Sequence, residues 1–465
     1  MSISERRRWL VLAVTVAAQF MVILDVSVVN VALPAIKDDL HFSQASLQWV
    51  ITAYSILFAG TLLLGGRLAD LLGRRRLFMA GVGVFTLGSL LSGLAWSEEV
   101  LIVTRALQGL GGALLAPAAL SIVVTAFSEG RDRNIALAVW GAASGSGGAV
   151  GVAVLAVSPW LLNESRAALS HRHFDVAGAT SITAGLMVLV YAITRASEHG
   201  WTNGATVGLL AAATALIVAF LGIEARSPAP LLPLRIFRLR TLSAANATIL
   251  IIGAATFGQF LLMTLYLQEV LHYSAIETGV AFIAVTLMIV AFSNVAQALT
   301  TRLGARPVLT AGLLLTAAGG ALYAQMPADG AYFWDVFPGL VVSGIGLAFS
   351  FVPVMIAGLT GVQPADAGVA SGLINTSRQV GGSVGLAAVT TIAATATGNY
   401  AQSHAVPAAG GAALTHGFEV AFYVLIGLAL AGAAVAAVFI ESKPKHDAAP
   451  TAMPLEAELG LQEAA

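Results

Sequence analysis

Thirteen apolar stretches, at residues 9–34, 47–65, 77–96, 100–127, 135–162, 176–195, 205–224, 241–268, 278–300, 307–326, 336–359, 367–397 and 417–440, follow one another along this 465-residue chain. An α-helix rises 1.5 Å per residue, so about 20 apolar residues cross the ~30 Å hydrocarbon core of a bilayer. Lipid offers no hydrogen bonds to the backbone, and these stretches lack the alternating pattern of barrel strands, so each is read as a helix. Composition agrees: 58% of residues are hydrophobic and 10% charged, against about 25% charged in soluble domains, too little polar surface to cover a globule of this size. The chain has no cysteine, which excludes disulfides, thiolate metal sites and cysteine nucleophiles.

The placement of charge says more than the net charge of -1. All lysines and arginines except Lys37, Arg105, Arg195 and Arg378 lie near the termini or in the segments 67–76, 131–133, 166–172, 226–240 and 302–306. The alternate segments 97–99, 270–277, 327–335 and 398–416 have none. The positive-inside rule therefore expects both termini in the cytoplasm. The first stretch follows Arg6-Arg7-Arg8, but it carries Asp25 and outruns a signal-peptide core, so it is read as a retained span. One place breaks the alternation. Segments 131–133 and 166–172 both ask to be cytoplasmic, yet a single apolar stretch separates them. It is long enough for one tilted crossing and too short for two.

The chain reads as two loosely repeated halves. Leu68, Gly73 and Arg75 correspond at one constant offset to Leu299, Gly304 and Arg306, and Gly109-Leu-Gly111 with Pro117 is echoed by Gly344-Ile-Gly346 with Pro353. The expected organisation is an N-terminal bundle over 1–162, two linker spans and a basic linker over 163–240, a C-terminal bundle over 241–440 and a disordered tail over 441–465.

Two charges lie inside spans of the first half. Asp25 falls deep in the first, where insertion scales put an aspartate at about +2.5 to +3.5 kcal/mol, so it must pair, protonate or line water. Arg105 enters the fourth span from the outer side at a similar depth. The two could pair or share a wet cavity; a fixed structural pair, or an arginine reaching the outer headgroups, are the plainer alternatives. Since arginine keeps its proton, a proton switch here would use Asp25 with Arg105 tuning it. Gln108, Asn30, Asn246, Gln259, Asn294 and Gln297 add uncharged polar groups that suit helix-to-helix bonding. Arg378 is read as an anchor at the inner end of its span. Phe20, Tyr54, Phe58, Trp140, Phe257 and Tyr266 could line a cavity or face helices and lipid. The eight histidines lie in loops, tail or span edges, and no nucleotide-binding Gly-x-x-x-x-Gly-Lys sequence occurs. No enzyme, metal or other cofactor is expected.

Residues Gly66 to Arg76, Gly-Arg-Leu-Ala-Asp-Leu-Leu-Gly-Arg-Arg-Arg, form a basic turn between the second and third stretches. Gly66 and Gly73 permit tight backbone geometry, Asp70 could neutralise an arginine or face a positive helix N-terminus, and the arginines suit the headgroups. This pattern resembles the signature loop of the major facilitator superfamily. Together with Leu24-Asp-Val-Ser-Val-Val-Asn-Val-Ala-Leu-Pro34, Trp49-Val-Ile-Thr-Ala-Tyr54, the Arg105 segment, the Pro-Leu-Arg-Ile-Phe-Arg linker and Asn375-Thr-Ser-Arg-Gln379, the chain is similar to the fourteen-spanner drug/proton antiporter family. The resemblance implies an all-α, two-bundle transporter fold with two extra linker helices, in a bacterial inner membrane. It implies alternating-access export of small amphipathic compounds in exchange for protons, with Asp25 and Arg105 as coupling residues. Gly66, Asp70, Gly73, Arg74 and Arg75 become a conformational latch. The partners are small-molecule substrate, protons and lipid, with no nucleic acid, and a monomer is expected. A passive facilitator or a non-transporting sensor on the same fold is the alternative. One departure stands out. The family motif of the fifth span starts at Trp140-Gly-Ala-Ala-Ser-Gly, but Val152 to Pro159 resembles the end of the sixth span, as if an internal segment after Gly151 were missing.

Overall fold

The structure, a computed structural model, describes residues 3–42, 46, 49–127, 131–142, 158, 175–228, 230–408 and 410–441. Its helices are α1 (Ile3–Asp39), α2 (Trp49–Leu72), α3 (Arg74–Gly93), α4 (Glu98–Ala126), α5 (Arg131–Ala142), α6 (Val176–His199), α7 (Gly204–Glu224), α8 (Arg240–Leu265), the short α9 (Ala275–Ala281), α10 (Ile283–Leu303), α11 (Ala305–Tyr323), α12 (Phe337–Leu359), α13 (Ala367–His404) and α14 (Gly411–Phe439). Among the described residues, 11 helices are long and apolar enough to cross a membrane. They coincide with eleven of the apolar stretches, and α1 covers the first. The expected fusion of spans within 135–162, and nearly all of the expected disordered tail, lie outside the described residues.

The basic turn at 66–76 differs from expectation. Gly66 to Leu72 continue α2, because nothing among them stops a helix, and the break is confined to Gly73. Gly73 has φ 111°, a conformation that glycine reaches without a Cβ penalty. The counterpart Gly304 does the same between α10 and α11, with φ 89°.

The repeat extends into packing. A methyl group on Gly111 of α4 would lie 2.4 Å from the Phe85 nitrogen and 3.0 Å from the Gly81 carbonyl oxygen of α3. One on Gly346 of α12 would lie 2.7 Å from the Thr316 nitrogen and 3.0 Å from the Gly312 oxygen of α11. Each bundle thus has one helix pair brought to backbone contact by facing glycines. Helices α1 to α4 gather on one side and α8 with α10 to α14 on the other, α5 packs on α1 and α4 of the first and on α10 and α12 of the second, and α6 and α7 pair with each other. Helix α6 lies along the seam and packs on both α2 and α13. At the turn between α6 and α7, Trp201 Nε1 donates to Thr391 Oγ1 of α13 at 3.0 Å.

The apolar core is shared at one end only. A single cluster joins Leu63, Leu120, Val123 and Leu137 of the first bundle to Leu242, Leu309, Val354 and Ile374 of the second. All of these lie toward the end carrying the basic turns at 67–76, 131–133, 226–240 and 302–306, called here the basic end. Away from this shared cluster the core divides, although the first bundle's own cluster also reaches Ala69 and Leu77 at the basic end. One cluster holds α1 to α4 side chains such as Val22, Tyr54 and Phe85, and another holds second-bundle side chains such as Leu262, Tyr266 and Phe422. The bundles are therefore fused at the basic end and separate beyond it.

Candidate functional site

Asp25 and Arg105 meet. Arg105 Nη1 donates to Asp25 Oδ2 at 2.5 Å and to Gln108 Oε1 at 2.8 Å, while Gln108 Nε2 donates to Asp25 Oδ1 at 2.8 Å. Both carboxylate oxygens are thus engaged from α4, by a cation and by a neutral amide one turn further on, the i,i+3 spacing that puts two side chains on one helix face. Arg105 Nε reaches the Val50 carbonyl of α2 at 3.2 Å, and its guanidinium lies 4.7 Å from the centre of the Tyr54 ring. Ser92 of α3 completes the group, donating to Thr104 Oγ1 at 2.9 Å and Gln108 Oε1 at 3.2 Å. The arginine side chain is 2% exposed and the aspartate 12%. The pair therefore joins α1 to α4 inside the first bundle, with the acid retaining the greater access to solvent.

A second group closes the seam at the basic end. Asp70, fully buried, accepts from Arg74 Nη2 at 2.8 Å across the Gly73 break. It also accepts from the Gly368 and Val369 backbone nitrogens at 3.2 and 3.1 Å. These amides lie in the first turn of α13, where unpaired N–H groups and the helix dipole favour an anion. Gly66 lets the two backbones approach: a methyl group there would sit 2.4 Å from the Gly368 oxygen. On the other side of the same connection, Arg133 Nη2 of α5 donates to the Leu359 carbonyl at 2.8 Å, the C-terminal and negative end of α12. Two consecutive helix ends of one bundle are thus held by opposite charges from the other. Nearby, Asn134 Nδ2 donates to Thr301 Oγ1 at 3.1 Å. Thr301 stands at the repeat position of Asp70.

Of the residues expected in the latch, Gly66, Asp70, Gly73 and Arg74 come together at this junction. Arg75 is half-buried and has no hydrogen bond or ion pair to a described residue. Sequence reasoning missed Arg133, which looks like any loop arginine, and Arg67, which is buried with Asp70, Asp366 and Glu224 as charge partners. Asp366, just before α13, pairs with Arg235 at 3.1 Å, so the linker arginine and Asp70 meet the same helix end. Asn246 accepts from Ser377 Oγ of α13 at 3.1 Å, a bond between helices as expected, whereas Gln297 donates at 2.9 Å to Thr301 one turn along its own helix. Gln259 is buried and Asn294 exposed. The side chains of Asn30 and Trp140 lie outside the described residues. Arg378 is not at the inner end of its span: roughly 17 Å of helical rise separates it from Ala367. Among the described residues, no group of three or more His, Asp or Glu side chains could hold a metal ion.

Comparison with known proteins adds the following. Residues 15–386 match the family model described as Major Facilitator Superfamily. The chain is 38% identical to the puromycin resistance protein pur8 of Streptomyces alboniger, over 94% of this chain and 92% of that protein. It is 39% identical to the cephamycin export protein CmcT of Amycolatopsis lactamdurans, over 83% and 85%, and 33% identical to the tetracenomycin C resistance and export protein of Streptomyces glaucescens, over 84% and 77%. The pur8 pairing runs over 466 residues although only 94% of this chain enters it, so that protein contributes positions this chain lacks. Among solved structures, the fold resembles the human organic anion transporter MFSD10, with a TM-score of 0.65 at 14% identity, over 94% of this chain and 100% of that one.

Proposed function

The chain belongs to the Major Facilitator Superfamily, and from that membership we propose that it exports small amphipathic compounds of the antibiotic or drug class in exchange for protons, by alternating access. The relatives named for resistance and export support the substrate class. The observation that carries the proton coupling is the Asp25–Arg105–Gln108 group. Protonating Asp25 removes the charge that holds α1 to α4 and turns one carboxylate oxygen into a donor. Arg105 then keeps Gln108, the Val50 carbonyl and the Tyr54 ring, so it stays in place while α1 is released. A proton arriving at Asp25 thus changes how two helices are tied, without stranding a buried cation.

In this reading the basic end faces the cytoplasm, as the positive-inside rule asks, and both termini lie there. The shared core and the Asp70 and Arg133 contacts then describe a transporter closed toward the cytoplasm, with Asp25 on the side from which protons enter. Reversal requires Asp70 to leave the α13 amides and Arg133 to leave the α12 carbonyl. The domain organisation we favour is the two bundles over 1–162 and 241–440 with α6 and α7 between them. The fifth and sixth spans are shortened by an internal deletion after Gly151, a reading supported by the positions that pur8 has and this chain lacks; the deletion lowers the transport rate.

Reconstituted protein with a pH-sensitive dye trapped in the lumen tests the exchange. Export of a loaded amphipathic drug should move protons in the opposite direction and should accelerate with an imposed pH gradient. Drug movement indifferent to the gradient would instead identify a passive facilitator.

A further inference from the structure

Arg378 is a cation that the coupling group and the latch both leave unused. It lies on α13 one turn beyond Ile374, the last fully buried α13 side chain of the core shared by the two bundles, and next to Val380, a half-buried side chain that packs against the rim of that core. The later buried apolar residues of α13, Val389 and Ala393, belong to the second bundle's separate cluster. Residues 371–376 are buried on every side, whereas 377–380 are all half-buried. Arg378 therefore stands where the fused part of the molecule ends and the cleft between the bundles begins.

Its guanidinium leaves even nearby acceptors unused: Asn375 Oδ1, three residues earlier on α13, is buried and has no hydrogen-bond partner. No hydrogen bond or ion pair joins the guanidinium to any described residue. The electrostatic neighbour it does have is Tyr54 of α2, in the opposite bundle. Tyr54 is 3% exposed, and its hydroxyl has no hydrogen-bond partner. A buried hydroxyl and an intramembrane guanidinium are both costly when unpartnered, and here one from each bundle stands without a hydrogen bond at the floor of the cleft. Asp25 does not serve: it is bonded to Arg105 and Gln108 of the first bundle and is not among the charge neighbours of Arg378. An arginine fork matches a carboxylate in two parallel bonds, and a phenol can add a third.

We infer that Tyr54 and Arg378 form a docking point for an anionic acceptor group, a carboxylate carried by an amphipathic substrate, bridging the two bundles at the cleft floor. The inference rests on the exporter reading and narrows its substrate class. It also links cargo to coupling, since the Tyr54 ring contacts Arg105 on one side and its hydroxyl would contact cargo on the other.

Rhodamine B and rhodamine B ethyl ester share one ring system and differ in a free carboxylate. Binding of each to the purified full chain, followed by fluorescence anisotropy, separates the docking point from general hydrophobic binding. Wild type should prefer the acid. Arg378→Gln should weaken the acid by about tenfold or more, the loss of one charge-assisted pair, and leave the ester within about twofold. Arg378→Lys should recover part of the difference, and Tyr54→Phe should lose less than Arg378→Gln. Equal weakening of both dyes, no preference for the acid in wild type, or no acid binding would each overturn the docking point. Failure of the exporter reading shows differently, as acid binding by wild type that never becomes gradient-driven movement in proteoliposomes.

Discussion

At the residue scale, the pairing of Asp25 with Arg105 was legible because each is expensive in lipid and helical rise put them at one depth. Gln108 and Tyr54 were not, since an amide and a phenol in a span have many ordinary uses. Their roles appear only once α1, α2 and α4 are assembled. Gln108 divides the burden: with Asp25→Asn, the amide can still bond to it, and Arg105 retains the Val50 and Gln108 oxygens. That variant should fold and insert normally. Arg105→Ala is different, because it removes the charge partner of the carboxylate and leaves it Gln108 alone; breaking one side of a buried pair costs about 3–5 kcal/mol. Thermal unfolding in detergent should therefore show a clear drop for Arg105→Ala and little for Asp25→Asn. Equal melting temperatures for the two would show that the pair carries no such strain.

At the scale of elements, the basic end is controlled by two helix termini. Asp70 sits on the positive end of α13 and Arg133 on the negative end of α12. Charges at helix ends are worth about 0.3–1 kcal/mol, and up to ~2 when partly buried. Losing one should shift the closed-to-open balance by roughly 5- to 30-fold. Because the chain has no native cysteine, the shift is readable with a single engineered pair. Asn134→Cys with Thr301→Cys should cross-link across the seam on oxidation and block export until reduced. Adding Asp70→Asn or Arg133→Gln should lower the cross-linking yield several-fold, and an unchanged yield would remove both residues from the closure. The sequence offered Asp70 through its motif, but not its partners. Those are backbone amides, and every helix in the chain has a set of them. Gly73→Ala should cost about 1–3 kcal/mol from its positive-φ, extended-ψ conformation alone, measurable as lower thermal stability with the Asp70–Arg74 pair still in reach.

At the scale of the whole molecule, hydropathy and charge placement carried the fold class, because lipid allows few alternatives to the helix and basic residues mark one face. What they could not carry was which helices touch. The glycine pairs Gly81–Gly111 and Gly312–Gly346 fix one such contact within each half, Gly81 and Gly312 at the same offset as Gly73 and Gly304 and their partners shifted by four residues. A valine at Gly111 or Gly346 meets backbone atoms that cannot move aside, so each variant should lose most folded protein in a membrane extraction assay, and by similar amounts if the halves are true repeats. Helices α6 and α7 were expected as linker spans; that α6 packs on both α2 and α13 was not, since it carries no motif that names a neighbour. The proposed deletion after Gly151 also belongs to this scale. A relative's segment inserted there should raise export, and equal export with and without it would refute a functional deletion.

The central claim is that protonation of Asp25 is what ties proton entry to export. Proteoliposomes holding wild type or Asp25→Asn, compared for gradient-driven accumulation and for gradient-free exchange of labelled drug, test it most directly. Wild type should perform both, and Asp25→Asn should keep exchange while losing accumulation against a concentration difference. Accumulation by Asp25→Asn at the wild-type level, or a wild type that never accumulates drug, would contradict the account.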